Sequence, residues 1–569
     1  MAVVTGFLSI SGTGGASNPY LAGELTAFDG EGAISWPPHA SSLPLFLPRP
    51  VVTAWPVCAN ARPVQGEVGG SYSADYYNRI YITPIALALG NVVSTQVSTV
   101  RVWNAYLSPK TVIGLDGVDE GIEITPPAAL PMVLSAMQET NWLVAVTPDG
   151  PAVLDAYVGW LFDGASTRPL HLTGNRIVPV GFAPNWSSPL RETLSWLTNI
   201  LANNRGAEQR RSLRAAPRKG WQASFTAEGA ERALFDLSMA GWGRRVWALP
   251  VWVDVLQLDT ALPAGSSAIA CDTTGRDFRV GGLALLRGET AFDTEAVEIL
   301  DMTAGGITLK RVTQSTWPAG TRLYPLRSAR LTEMPQTTRR TDALLQADCS
   351  FELTEPADWP AALPTTLYRG RPVFAQRPDE STDLSHSYER LTLLLDNTTG
   401  NAAVTDTAGK GFVLQQHRWC LAGRAEHSAW RSLLYALQGR AKSIWLPTHA
   451  QDLVPVEPLS GSLLKVQRVG YARFGVGQLG RQDIRIELAD GSVLMRRITA
   501  AVESGSIEEL VVDADFPGVI QPGQVARISY MALCRLASDD IELEHLTDQD
   551  GVARCAITLR GVRDDLEVA

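Results

Sequence analysis

Lysine is scarce in this chain of 569 residues. Only six of its 49 basic residues are lysine, and 59 acidic residues leave a formal charge of -10. That balance argues against a broad nucleic-acid surface and leaves room only for local arginine patches. Long apolar runs are missing too. No stretch approaches 18 uninterrupted apolar residues, so no membrane helix is expected. The start, MAVVTGFLSISGTGG, lacks the basic opening and long apolar core of a signal peptide. Cysteine is sparse: six, at 58, 271, 349, 420, 534 and 555, with no CxxC pair. They read as small core residues in a reducing compartment rather than a disulfide framework.

Catalytic signatures are equally thin. No nucleophile elbow and no HExxH occur. AGKG at 408–411 lacks the leading glycine spacing and the trailing Ser or Thr of a phosphate loop. DQDG at 548–551 lacks the glutamate that closes a calcium loop and reads as a turn. His417, Cys420 and His427 are close in sequence, yet a zinc site needs three or four convergent ligands, so structural roles are expected. Asp539 and Asp540 would face opposite sides of a strand, which weakens them as a glycosidase pair. The expectation is no enzyme, no cofactor and no metal.

What is present suits a large β protein. Hydrophobic residues make up 45% and charged residues 19%, enough for several cores. The 49 glycines and 35 prolines follow no period, as in turn-rich sheets. Length alone suggests about three to five domains. Residues 1–69, with WPPHASSLPLFLPRP at 36–50, read as an extended arm because the prolines exclude a helix. Residues 70–168 read as an immunoglobulin-like β-sandwich. STVRVWNAYLS alternates at 98–108, and Asp-Gly turns stand at 149–150 and 163–164.

A faint internal duplication follows, with modules at 169–354 and 380–569 and a Pro-rich connector at 355–379. Each module has a strand, a helix, a glycine, a basic segment, a Trp-bearing strand and a proline. Ala230, Ala233, Leu234 and Leu237 form one helical stripe; Trp430, Leu433, Leu434 and Leu437 form the other. Gly241 and Gly439 would permit the helix exits, and Trp247 matches Trp445. The expected core comprises Leu234, Leu237, Trp247, Trp430, Leu433, Leu437 and Trp445. Arg330-Leu331 matches Arg535-Leu536 at a separation of 205 residues, and Cys349 matches Cys555 at 206. Short β-branched runs near 258–322 and 458–525 suggest a small β-barrel insert in each module.

The basic run Arg205, Arg210, Arg211, Arg214, Arg218 and Lys219 reads either as a solvated loop or as a partner for a neighbouring subunit's acidic edge, with nucleic acid a distant third reading. Glu508, Glu509, Asp513 and Asp515 supply such an edge. Trp186, Trp196, Trp242 and Trp359 are candidate sugar platforms or subunit anchors.

The segments GWGRRVWALPVWVDVLQLDTALPAGSSAIACDTTGRDFRVGGLALL at 241–286 and HRWCLAGRAEHSAWRSLLYALQGRAKSIWLPTHAQDL at 417–453 resemble tail proteins of long-tailed bacteriophages. The resemblance covers about 190–569. It implies two tube-like modules in a virion protein of the tail tip or baseplate, of the distal-tail or hub class. The implied protein is made in the host cytoplasm and forms a ring that joins the tail tube to distal tip and fibre proteins. DNA passes through without specific binding, and no stable membrane insertion is implied. Distal-tail proteins carry one module per chain in hexamers, so two modules favour a trimer with pseudo-sixfold symmetry over a hexamer. Competing readings are an adhesin or carbohydrate-binding tail protein and a cell-wall glycosidase.

Overall fold

The computed structural model describes residues 76–567, apart from 93–94, 148–149, 151–152, 166 and 382. The expected arm at 1–69 lies outside the described residues. The chain is mainly β, with several separate sheets, and divides into two compact units at Arg176/Ile177. Among the described residues no helix is long and apolar enough to cross a membrane.

In the first unit, strands Ile80–Thr83, Gln96–Asn104, Glu139–Val146 and Ile122–Thr125 form one sheet. Ala86–Val92, Leu170–Arg176, Val153–Phe162, Lys110–Asp116 and Met132–Leu134 form another. Alternation sends Val100, Val102 and Asn104 inward from one sheet and Leu154, Ala156, Val158 and Trp160 from the other, into a single core. Trp142 and Trp160 meet edge to face there, with ring centroids 5.7 Å apart.

The second unit repeats itself strand by strand. Its first half comprises β1 (Leu190–Ser195), β2 (Thr198–Ala202), β3 (Glu208–Ser212), β4 (Arg218–Glu228), α1 (Gly229–Gly241), β5 (Trp247–Pro250), β6 (Ala268–Ala270), β7 (Leu283–Arg287), β8 (Thr294–Thr303), β9 (Gly306–Leu309), β10 (Arg322–Leu331), β11 (Thr337–Arg339) and β12 (Leu344–Leu353). The second half comprises β13 (Ser385–Glu389), β14 (Thr392–Leu395), β15 (Ala403–Asp406), β16 (Phe412–Leu421), α2 (Arg424–Leu437), β17 (Ile444–Pro447), β18 (Leu463–Gln467), β19 (Asp483–Leu488), β20 (Val493–Ser504), β21 (Ile507–Val512), β22 (Val525–Leu536), β23 (Asp540–His545) and β24 (Ala553–Gly561).

The pairings made within the first half recur within the second. β1 with β4, β2 with β3, β4 with β12 and β11 with β12 correspond to β13 with β16, β14 with β15, β16 with β24 and β23 with β24. The inserts repeat as well: β6–β9–β8–β7–β10 corresponds to β18–β21–β20–β19–β22. Each insert has its own core, around Leu286, Val297 and Trp317 in one and Ile484, Leu510 and Ile528 in the other.

The register corrects three of the sequence matches. Arg330 and Arg535 hold equivalent places, opposite Glu352 and Arg560 on β12 and β24. Counting from them, Trp247 faces Ala329 while Ile444, not Trp445, faces Cys534. A slip of one residue changes the face. Trp247 therefore lies beside the end of α1, its indole N–H donating to the Gly243 carbonyl at 2.8 Å. Trp445 lies in a separate small core with Val373, Met531 and Leu533. Cys349 and Cys555 are likewise two places out of register. The helix exit after α1 is made at Gly243, with φ +56°, because Gly241 still belongs to the helix.

The two helices differ in depth. α2 buries Trp430, Leu433, Leu434 and Leu437 among eight residues. α1 buries only Phe235, leaving Leu234 half-buried and Leu237 68% exposed. Leu237 is thus not core: the helix turns Phe235 inward, against Phe182 and Phe225, and the expected stripe is rotated toward solvent.

Candidate functional site

The junction between the two repeats holds a cluster of buried charge. β1 is the seam: one edge pairs antiparallel with β4, and the other pairs with β23 of the second repeat. One sheet therefore runs through both. Alternation along β1 sends Leu190, Glu192 and Leu194 inward, so a carboxylate stands at an apolar position. Its neighbours on the flanking strands answer it. Lys219 Nζ lies 2.7 Å from one Glu192 oxygen, and His545 Nε2 lies 2.8 Å from the other. Arg431 on α2 approaches to 3.9 Å.

Arg424, His427 and Arg431 recur at helical spacing, so one face of α2 carries all three across the junction. Asp254 ends the short turn after β5 and accepts from Arg424 at 2.6 Å and Arg431 at 3.0 Å. It also accepts the Asp277 backbone N–H at 3.1 Å. Asp277 takes two bonds from Arg327, which reaches Glu355 at 3.0 Å. Four cations thus face four carboxylates. Trp359 lies under the Arg431 guanidinium at 4.4 Å and donates to Ser432.

Electrostatics fix the protonation states. Burial alone would raise the Glu192 carboxyl, but Lys219, Arg431 and His545 hold it well below the usual range. Asp254 is lowered in the same way, with Arg431 and Arg424 outweighing its burial. Burial, helped by Arg431 and His545, pushes His427 well below an ordinary imidazole; His545 is lowered chiefly by burial. Both rings are therefore neutral at pH 7.

Glu192, His427 and His545 present ligand-type atoms within 4.8 Å of one another, and His427 Nε2 has no hydrogen-bond partner. This is the one such trio among the described residues, and sequence spacing gave no hint of it. The donor set does not fit a cation. Glu192 is already shared by Lys219, Arg431 and His545, and a divalent ion would add charge to a balanced, buried cluster. His417 and Cys420 are not brought to His427. Three residues apart on β16, they face opposite sides: His417 is buried and Cys420 is exposed, not buried as an inward strand residue would be.

A second lock lies beside the first. The β2–β3 hairpin reaches from the first repeat onto the second. Thr198 donates its backbone N–H and hydroxyl to Asp539 at 2.9 and 2.7 Å. Asp539 also receives Arg440, so its carboxylate is committed to this contact. Glu208 accepts from Arg535 at 2.7 Å and Arg560 at 2.8 Å. Gly206, at φ +79°, fits against the Phe412 ring where a Cβ would collide.

The expected interface residues scatter accordingly. Arg210 is spent inside the chain on Glu567 at 2.5 Å, and Arg214 caps the Ser195 carbonyl at 2.9 Å. Arg205 and Arg211 are exposed. Strands take up part of the basic run, β3 holding Arg210 and Arg211 and β4 holding Arg218 and Lys219, while Arg205 and Arg214 lie between strands. Glu508 is not on an acidic edge. Alternation along β21 turns it inward with Leu510, where it accepts the Val469 and Ala472 N–H groups at 3.0 and 2.9 Å. Only Glu509 of that pair reaches solvent, near Lys465 at 3.6 Å. Trp196 is buried against Tyr435 and offers no sugar platform.

No family model matches the chain, and no curated protein matches its sequence.

Proposed function

We propose that this is a structural, self-assembling virion protein of a bacteriophage tail tip or baseplate, of the distal-tail or hub class. In this reading each repeat of the second unit is a tube-like module with a barrel-like insert, and the first unit is an immunoglobulin-like sandwich. Two modules per chain favour a trimer with six similar positions around the genome passage. The ring joins the tail tube to distal tip and fibre proteins, and an acidic lumen lets DNA slide without sticking.

The observation that carries the reading is the repetition of one pairing scheme in two modules joined by a continuous sheet. A module that already accepts another module edge to edge is built to be used in series. The junction chemistry points the same way. Its carboxylates and cations are buried, paired and charge-balanced, which suits a rigid joint rather than turnover. Mass measurement of the purified chain, with imaging of the assembly and no symmetry imposed, tests the reading. The expected result is a closed ring of three chains with no activity on peptidoglycan. A monomer at every concentration, or turnover of peptidoglycan, would overturn it.

A further inference from the structure

Among the described residues, half of the junction just described has no partner. β13 is the counterpart of β1, but among the described residues only its β16 edge is paired. β11 is the counterpart of β23, but only its β12 edge is paired, and Thr337, Thr338 and Arg339 are all exposed. The β14–β15 hairpin is the counterpart of the docked β2–β3 hairpin. The registers agree, Thr198 opposite Ser212 and Thr392 opposite Asp406. The sequences agree too: LTNILANN at 197–204 and LTLLLDNT at 391–398 share both leucines, the threonine and an asparagine.

The docked hairpin shows which face makes the contact. Thr198 is buried and Ile200 half-buried, while Leu201 on the other face stays 64% exposed. The matching inner face of the second hairpin carries Thr392, Leu394 and Val404. Leu394 is 62% exposed and Val404 63%. Two apolar residues thus stand bare where a contact surface is due, and an isolated two-stranded hairpin is marginal in water. The receiving side is equally ready. Counting back from β11, Glu333 falls where Asp539 precedes β23, and it is exposed. α1 is open where α2 is covered.

We propose that a second copy of this chain completes the junction. β13 and the β14–β15 hairpin of one copy dock on β11 and the turn before it in the next, repeating between copies the joint that β1 and the β2–β3 hairpin make within one. The register follows from the internal joint. Arg191 faces Glu544 there, so Ser385 faces Thr338 of the next copy and His386 faces Thr337. Thr392 meets Glu333 as Thr198 meets Asp539. Both unpaired edges are covered, which also removes an aggregation hazard. The interface is head to tail, and it closes only as a ring.

This inference rests on the self-assembly reading and adds its residues. The test is disulfide cross-linking of full-length chain carrying Ser385→Cys and Thr338→Cys in a Cys420→Ser background. Arg191→Cys with Glu544→Cys is the within-chain control. The expected result is covalent oligomers on a non-reducing gel, and none when Thr337→Cys replaces Thr338→Cys, because that pair faces opposite sides. Leu394→Asp should raise the concentration for half-assembly at least tenfold. Leu395→Asp, on the outer face, should leave it unchanged. If the chain assembles but neither the cross-link nor the Leu394→Asp effect appears, this interface is wrong and the self-assembly reading survives. If the chain stays monomeric with its fold intact by circular dichroism, both fall.

Discussion

Glu192→Gln isolates the centre of the joint. The substitution keeps the shape of the side chain and removes its charge. Lys219, 3% exposed, then keeps only the more distant Asp254 carboxylate as a counter-charge. At an effective dielectric constant of about 20, the gross attractions lost are about 6 kcal/mol for Lys219 at 2.7 Å and about 4 kcal/mol for Arg431 at 3.9 Å. Most of that is offset by the desolvation both partners already carry. Breaking one side of a buried pair leaves a net cost of about 3–5 kcal/mol. Urea unfolding followed by tryptophan fluorescence measures it, since Trp221 lies under the Lys219 ammonium at 4.7 Å. The joint lies wholly in the second compact unit, so the transition of that unit is the one to follow. Glu192→Leu with Lys219→Met should recover much of the loss, because apolar replacement of both partners removes the orphaned charge. A cost below about 1 kcal/mol for Glu192→Gln would show that the cluster does not hold the repeats together.

Other consequences follow from the same geometry. His427 and His545 have depressed pKa values in the fold, so the unfolded chain binds protons first. Their contribution is present above the unfolded value of about 6.5 and is lost as pH falls below it; His427→Leu should flatten a Tm profile between about pH 6.5 and 5. Asp564 runs the other way. Burial raises it to about 6, so its penalty is absent below the unfolded value and grows as pH rises through the folded one. Asp564→Asn should therefore stabilise the second unit by about 1–3 kcal/mol at pH 8 and little at pH 4, read by thermal melts at both. Gly439 sits at φ +65° with Asp539 and Trp196 where a Cβ would go, so Gly439→Ala should cost about 1–3 kcal/mol and loosen the β2–β3 hairpin to proteolysis. A protease-resistant hairpin in that variant would count against the second lock.

Periodicity and composition were legible in the sequence because they are local. Alternation at 98–108, the helical stripe of Trp430, Leu433, Leu434 and Leu437, and the Arg330/Arg535 match each depend on residues a few places apart or on one spacing. Local pattern was enough to specify a β-rich chain with one unit used twice. Which faces those residues met depended on pairing between strands far apart in the chain. A one-residue slip separated Trp247 from Trp445, and a rotated helix put Phe235 inside and Leu237 outside. Inward alternation turned Glu508 from an edge charge into a buried acceptor. The joint was out of reach of any local pattern, because Glu192 and His545 lie 353 residues apart. A buried carboxylate at an apolar position reads as a surface residue until the fold brings Lys219, Arg431 and His545 around it.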